Sequence, residues 1–418
     1  MAKALLATSE AQNLLPPVAL ITGSPVIVPT GTTGNVLGPG YHDANGGTLV
    51  SSGELPPDVP LERAVQSLRE LVQDFDFQSD GDRARAMASL ITPALKIGGW
   101  LQSSVPVDVS EADASQSGKT YRQKVVAAVY GELPYIIGQR NGGVGSVDES
   151  ISTALVSGKT FLLLDNLRGR MNTQFLEAVV TADGPVAARV PHRGEVMVDS
   201  RGVLFQVTSN GFETTRDLAN RSTIIRIRKP KGRRFKEYAE GDLLSHVKGN
   251  QAYYLGCVFA VVKAWAGHGR PKTSEVRHDF RGWAQNLDWI CQNLLKCGPL
   301  MDGHEQAQGR VSNPGLSWLR IVATALTESV DPAKELTATD LFQLCEERDI
   351  QIPGLQSFDE AQGRKVIGKI MSRFFKDGEV FVAEGIHVTR VTKEEYRQEF
   401  RKSINVNYYS FAACAICD

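Results

Sequence analysis

Eight consecutive residues, Asp113-Ala-Ser-Gln-Ser-Gly-Lys-Thr120, constrain this chain more than any other stretch. They follow the phosphate-loop pattern G-x-x-x-x-G-K-[ST], with Asp113 in place of the first glycine. In such a loop backbone N–H groups cradle a phosphate at a helix N-terminus, the lysine reaches the β/γ oxygens and the hydroxyl ligates Mg²⁺. Ser115, Gln116, Ser117, Gly118, Lys119, Thr120 and Tyr121 are therefore the candidate nucleotide contacts, with Lys119 and Thr120 as the chemical core. Asp113 and Gln116 stand where glycine usually relaxes the loop, so a positive φ at either position would be strained, and Asp113 adds negative charge near phosphates. Read alone, the octapeptide fits either a nucleotide site or a polar loop before a helix.

The segments on either side of the loop favour a nucleotide site. Pro106 to Ser110 predicts a short strand before it and Tyr121 to Tyr130 a helix after it. Lys159-Thr-Phe-Leu-Leu-Leu-Asp-Asn166 is an apolar run suited to a central parallel strand, with Asp165 at its C-terminal end, where open α/β sheets place ligands. Asp165 is the expected second Mg²⁺ ligand beside Thr120, or a capping Asp on a core strand. Asn166 comes next, and an amide cannot serve as a general base. A water-activating carboxylate must come from elsewhere; Glu149, next to Asp148, is the candidate, with a solvated helix face as its alternative. Gly202-Val-Leu-Phe-Gln-Val-Thr-Ser-Asn210 is a further apolar strand whose Asn210 would position an attacking water. In Asp217-Leu-Ala-Asn-Arg221, before the strand Ile224–Ile227, Arg221 is the first choice and Arg216 the second for an arginine finger acting on a neighbouring subunit's site; either also fits a surface arginine.

These motifs together resemble superfamily 3-type AAA+ helicases, and within them the helicase module of primase–helicase proteins carried by phages, plasmids and integrated elements. In that group the metal strand often ends Asp-Asn and the sensor strand in patterns such as Thr-Ser-Asn, as at 208–210. Gly38-Pro-Gly-Tyr41, Gly269-Arg-Pro271, Pro299-Leu-Met-Asp-Gly-His304 and Asn313-Pro-Gly-Leu-Ser-Trp-Leu-Arg320 extend the resemblance over about residues 15–400. The chain departs from the group in the two missing glycines and in Asn220, where a second arginine is common, and it carries no primase signature. The resemblance implies an ATP- and Mg²⁺-dependent ATPase that forms a ring, as a hexamer, and moves on single-stranded or forked DNA in replication of a mobile element, with a separate primase or polymerase as possible partner. It also implies that the hairpin predicted over 184–199 presents Arg189, His192 and Arg193 to DNA phosphates; a plain solvated tip is the alternative.

The expected fold class is α/β: a β-rich N-terminal region (1–60), helices leading into the core (61–104), an AAA+ P-loop core (105–235), a helical subdomain (236–333), a winged-helix-like domain (334–400) and a tail (401–418). Val18–Ile21 and Pro25–Val28 read as strands and Gly38–Gly47 as a turn between strands; Leu61–Phe75 and Ser79–Leu95 read as helices, the second capped by Ser79 or Asp80. The basic run Arg226–Lys236 fits a nucleic-acid track or a solubilising linker. Tyr253 to Trp265 predicts an apolar helix, and Trp283, Trp289 and Trp318 read as core. Helices Thr337–Arg348 and Glu360–Phe375 with a hairpin over 380–390 give the winged pattern, with Arg364, Lys365, Lys369 and Arg373 on the second helix to meet duplex or protein.

The 46 basic and 47 acidic residues nearly cancel, so nucleic-acid affinity would come from local patches. No apolar run reaches membrane-spanning length and no signal-peptide core is present, so a cytoplasmic protein is expected. Six scattered cysteines form no disulfide framework, and Cys414-x-x-Cys417 reads as a bland tail. Two other classes remain open. One is an AAA+ initiator or assembly switch that binds ATP and DNA without unwinding. The other is an inactive subunit that recruits partners through its winged helix.

Overall fold

The computed structural model describes residues 18–101, 104–112, 116–138, 146–167, 170–182, 184–190, 194–229, 236–327, 334–355, 359–375, 380–383, 386–397 and 402–413. The chain is a mixed α/β protein in two compact units, residues 1–308 and 309–418.

The first unit opens with β1 (Val18–Thr22), the hairpin of β2 (Val26–Thr30) and β3 (Thr33–Leu37), and the hairpin of β4 (Gly40–Ala44) and β5 (Gly47–Ser51), with β5 parallel to β1. The stretch 38–47, expected to be a turn, is mostly strand. Its tight turn is Asn45-Gly46, both at positive φ (50 and 76), as a two-residue hairpin loop requires. Then come α1 (Leu61–Val72), β6 (Asp76–Phe77) and α2 (Asp80–Ile97), whose N-cap Ser79 accepts from Asp82 N. Pro93 interrupts α2. The Tyr130 hydroxyl bridges the gap, donating to Leu90 O (2.6 Å) and accepting from Ala94 N (3.1 Å).

Next are β7 (Val107–Glu111), α3 (Lys119–Val129), β8 (Tyr135–Ile137), α4 (Val147–Val156), β9 (Phe161–Leu167), β10 (Arg170–Met171), α5 (Gln174–Thr181), the antiparallel pair β11 (Pro185–Val190) and β12 (Gly194–Asp199), β13 (Leu204–Ser209), β14 (Glu213–Thr214), α6 (Arg216–Asn220) and β15 (Ser222–Arg228). The central sheet runs β6-β15-β7-β13-β9-β8, parallel throughout except for β6. Phe161 to Leu164 are all buried, as a strand covered on both faces demands. Inserting β13 between β7 and β9 puts the end of β13 beside both the loop strand and the Asp165 strand.

Helices α7 (Leu243–Gly249), α8 (Gln251–Gly267) and α9 (Arg281–Asn293) complete this unit, and α10 (His304–Ser312) begins in it. The divisions expected at 60/61, 104/105 and 235/236 fall inside the unit because one apolar core crosses all three: Ile27, Leu68, Leu95, Val126, Val258 and Trp283 belong to it. Trp289 is only half-buried at its margin.

Among the described residues the outer edge of β15 pairs with a strand only at Ile227 and Arg228, and side chains cover the rest. His278 Nε2 pairs with Ser222 O (3.3 Å), His304 Nε2 accepts from Ile224 N (3.2 Å), Arg85 Nε donates to Ile224 O (2.9 Å) and Asp82 Oδ1 accepts from Arg226 N (2.9 Å). Burial lowers both histidine pKa values, that of His278 to about 4, with Glu275 opposing; the Arg85 charge pushes His304 the same way as burial does. Unfolding frees both rings to protonate near the ordinary 6.5, so their stabilisation is complete above that pH and is lost as pH falls toward about 4. We expect the urea midpoint to fall steadily between pH 6.5 and 4, and His278→Gln to flatten that slope; a midpoint flat across this window would contradict the assignment.

The second unit contains α11 (Pro314–Thr327), α12 (Ala338–Glu347), α13 (Glu360–Phe374) and the antiparallel sheet β16 (Val380–Ala383), β17 (Ile386–Arg397) and β18 (Lys402–Ala413). Helix α11, expected in the helical subdomain, belongs here: Trp318, Leu319 and Val322 share a core with Phe342, Ile367, Met371 and Phe411. Residues 402–413, expected as tail, are instead a strand, with Tyr409 and Phe411 buried on one face. The pair Cys414 and Cys417 lies outside the described residues. Among the described residues no helix is long and apolar enough to cross a membrane.

Candidate functional site

Strand β7, the loop and α3 succeed one another as the sequence predicts; Asp113 and Ser115 lie outside the described residues. Gln116 adopts φ 63 and Gly118 φ 93, so the left-handed bend expected to strain a non-glycine falls on Gln116. Gly118 is the N-cap of α3, and among the described residues no side chain caps this helix. A helix N-terminus of this kind presents backbone N–H groups to an anion. Glycine at 118 is favoured by its φ, and a Cβ there would also lie a tight 3.2 Å from the Phe75 ring.

Lys119 is only 8% exposed. Its Nζ donates to Asn210 Oδ1 (2.6 Å) and to Ser117 Oγ (3.3 Å). Burial lowers its pKa, while the carboxylates of Asp165 and Glu111 oppose that shift. Thr120 Oγ1 donates to Asp165 Oδ1 at 2.6 Å. A hydroxyl and a carboxylate in contact at a helix N-terminus form a small set of hard oxygen donors, which suits Mg²⁺ shared with phosphates and water. Among the described residues no group of three or more His, Cys, Asp or Glu side chains is placed to hold a metal. Tyr121 is turned away from this centre to support it: its hydroxyl accepts from Leu244 N (2.8 Å), and burial raises its pKa to about 12.

Asp165 owes its direction to an irregularity in β9. Val207 pairs with Leu164 and Ser209 with Leu167, so Asp165 and Asn166 together face the single residue Thr208. This is a β-bulge, and Asn166 takes the left-handed φ of 52 that it requires. Thr208 clasps it, accepting from Asn166 N (2.8 Å) and donating to Asp165 Oδ1 (2.6 Å). Asn166 itself is exposed.

Sequence reasoning missed Glu111. This residue ends β7, is 2% exposed, accepts from Phe212 N (3.0 Å) and lies 3.9 Å from Arg226 Nε. It thereby fixes the segment just past Asn210. The signal was a carboxylate at a strand's C-terminal end, the same one that exposed Asp165. Arg226 and Arg228, taken as the start of a linker or track, are residues of β15, while Lys236 is held by Glu70 (3.0 Å) and Asp74 (3.0 Å). Residues 230–235 lie outside the described residues.

The described contacts that join Lys119, Thr120, Asp165 and Asn210 do not include Glu149, which sits half-buried in the first turn of α4, its N–H taken by Ser146 Oγ (3.3 Å). Nor do they include Arg221, which closes α6 and reaches Glu177 O at 3.5 Å. Arg216 is exposed at the start of α6. In the hairpin, Val186 pairs with Val198 and Ala188 with Val196, and Arg189 is exposed; His192 and Arg193 lie outside the described residues. On α13, Arg364, Lys365, Lys369 and Arg373 are all exposed.

No protein-family model matches the sequence, and no curated protein matches it. Among solved structures, similarity is found to an active helicase, SCCmec type IV Cch (11% identity, 99% of this chain and 82% of that one, TM-score 0.36). It is also found to the apo C-terminal region of NrS-1 (11% identity, 90% and 82%, TM-score 0.31) and to JCV helicase (14% identity, 60% and 65%, TM-score 0.24). At these values the likeness decides nothing about activity, which is argued from the side chains.

Proposed function

We propose that this chain is an Mg²⁺-dependent ATPase of the AAA+ type that assembles into a ring, as a hexamer, and acts as a DNA helicase or translocase in replication of a phage, plasmid or other mobile element. The observation that carries this reading is the meeting of the Thr120 hydroxyl with the Asp165 carboxylate at 2.6 Å, one residue from a buried Lys119 at the N-terminus of α3. Bound Mg²⁺ would supply charge neutralisation between the β- and γ-phosphates. Thr120 and Asp165 would hold it, and Lys119 would donate to the phosphate oxygens.

Residues 116–121 would bind the triphosphate, Gln116, Ser117 and Gly118 through backbone N–H groups and Tyr121 by fixing α3 against α7. Asn210, beside Lys119, would orient the attacking water without taking its proton. Glu149 would be the proton acceptor. Arg221 would act on the site of the neighbouring subunit, since its own contacts lie at Glu177. The β11–β12 hairpin, through Arg189, His192 and Arg193, would track single-stranded DNA inside the ring. A primase or polymerase on another polypeptide and a cytoplasmic setting fit this role.

A second reading is favoured by Asn166, which provides no base after Asp165, and by Gln116 at φ 63, where a glycine-poor loop carries strain. It is an initiator or assembly switch that binds ATP and DNA without unwinding. A forked duplex with a labelled strand separates the two. Strand release that requires ATP and Mg²⁺ supports the helicase; ATP-dependent DNA binding with no strand release refutes it in favour of the switch.

A further inference from the structure

Asp165 can serve a metal only if it stays aimed at Thr120, and its position on an irregular strand makes that aim costly to hold. Asn166 sits at φ 52, a left-handed conformation that asparagine tolerates better than other residues with a Cβ but that neighbours must still favour. Among the described residues the Thr208 side chain does so. Thr208 Oγ1 accepts from the N–H of Asn166 at 2.8 Å and donates to Asp165 Oδ1 at 2.6 Å. One hydroxyl thus uses both its lone pair and its proton on the two residues of the bulge. Thr208 is itself 0% exposed and anchored on a central strand whose backbone pairs with β7 on one side and β9 on the other.

We propose that Thr208 is a positioning residue for the Mg²⁺ site, setting the β9 bulge and orienting the Asp165 carboxylate; this rests on the proposed ATPase activity. Asp165 Oδ1 takes two hydroxyl donors, Thr120 and Thr208. Thr120 would hold the metal through an oxygen lone pair while its proton still points to Asp165, so Thr208 is the second donor, the one anchored in the rigid sheet. Outer partners of metal ligands commonly matter in this way. Val at 208 keeps the shape and removes the hydroxyl, leaving Asn166 N without its acceptor and Asp165 without its fixed donor. Ser keeps the hydroxyl and loses the methyl.

The test compares wild type, Thr208→Val and Thr208→Ser, reading the Mg²⁺ concentration needed for half-maximal ATP hydrolysis and, independently of turnover, the rise in melting temperature that ATP gives with Mg²⁺ and with EDTA. The expected result is an Mg²⁺ midpoint raised about 10-fold or more in Thr208→Val. Its ATP shift in EDTA should equal that of wild type while the added shift from Mg²⁺ is lost, and Thr208→Ser should return to within about 2-fold of wild type. A Thr208→Val midpoint equal to wild type overturns the proposal, as does equal impairment in Val and Ser, which would mark a packing role. Should Thr208→Val not fold, Thr208→Ala, which leaves room at the site, is read against the same criteria. A wild type whose ATP binding ignores Mg²⁺ overturns the ATPase reading itself, and this result is distinct from the others because it appears before any substitution.

Discussion

Replacing Lys119 by Ala is expected to abolish ATP turnover, by at least about 100-fold, while leaving the fold intact. Lys119 is 8% exposed and stands at the N-terminus of α3, where the triphosphate would carry its greatest charge. Burial lowers its pKa, and Asp165 and Glu111 work against that shift, so the two carboxylates help keep this lysine charged. Truncation removes a cation that the interior desolvates, and the hydrogen-bond acceptors it leaves among the described contacts, Asn210 Oδ1 and Ser117 Oγ, are neutral. Melting should therefore change little, and the loss should appear in nucleotide affinity and in kcat. A Lys119→Ala protein that turns over ATP at the wild-type rate would move the active centre elsewhere in the chain.

Arg221→Ala is expected to lower kcat about 1,000-fold with ATP affinity preserved, the effect of removing an arginine finger. Within its own subunit Arg221 reaches only the carbonyl of Glu177, at a long 3.5 Å among the described contacts, so its loss should cost little stability. Mixing supplies the sharper result. Arg221→Ala and Lys119→Ala subunits are each inactive alone. In a mixed ring an intact Lys119 site meets an intact Arg221 from its neighbour, and activity should reappear. If the mixture stays as inactive as its parts, Arg221 does not act across subunits.

The parts of the site that the sequence displayed were those written locally. The octapeptide 113–120 announced itself by residue type, and Asp165 and Asn210 by closing apolar runs that only buried strands could use. The clasp on Asp165 was hidden because a bulge is a property of two strands in register: Thr208 gains its role only from facing both Asp165 and Asn166. Glu111 stayed hidden for the same reason, its partner Phe212 being far along the chain. The edge of β15 is covered by His278, which precedes α9, and by His304, which opens α10, a long-range pairing that no local pattern could assign. Strand β18 was legible in principle, since Ile404, Val406 and Tyr408 alternate with polar residues; its place near the chain end made it look like tail. The division of the helices was not legible, because α11 reads as an amphipathic helix whichever core it joins.

The most direct test of a DNA-coupled motor is steady-state ATP hydrolysis by the intact protein with Mg²⁺, in the presence and absence of single-stranded DNA. The expected result is turnover that rises when DNA is added and disappears when Mg²⁺ is chelated. Turnover absent under all these conditions, in a protein that still binds ATP, would contradict the motor and leave the nucleotide-dependent switch.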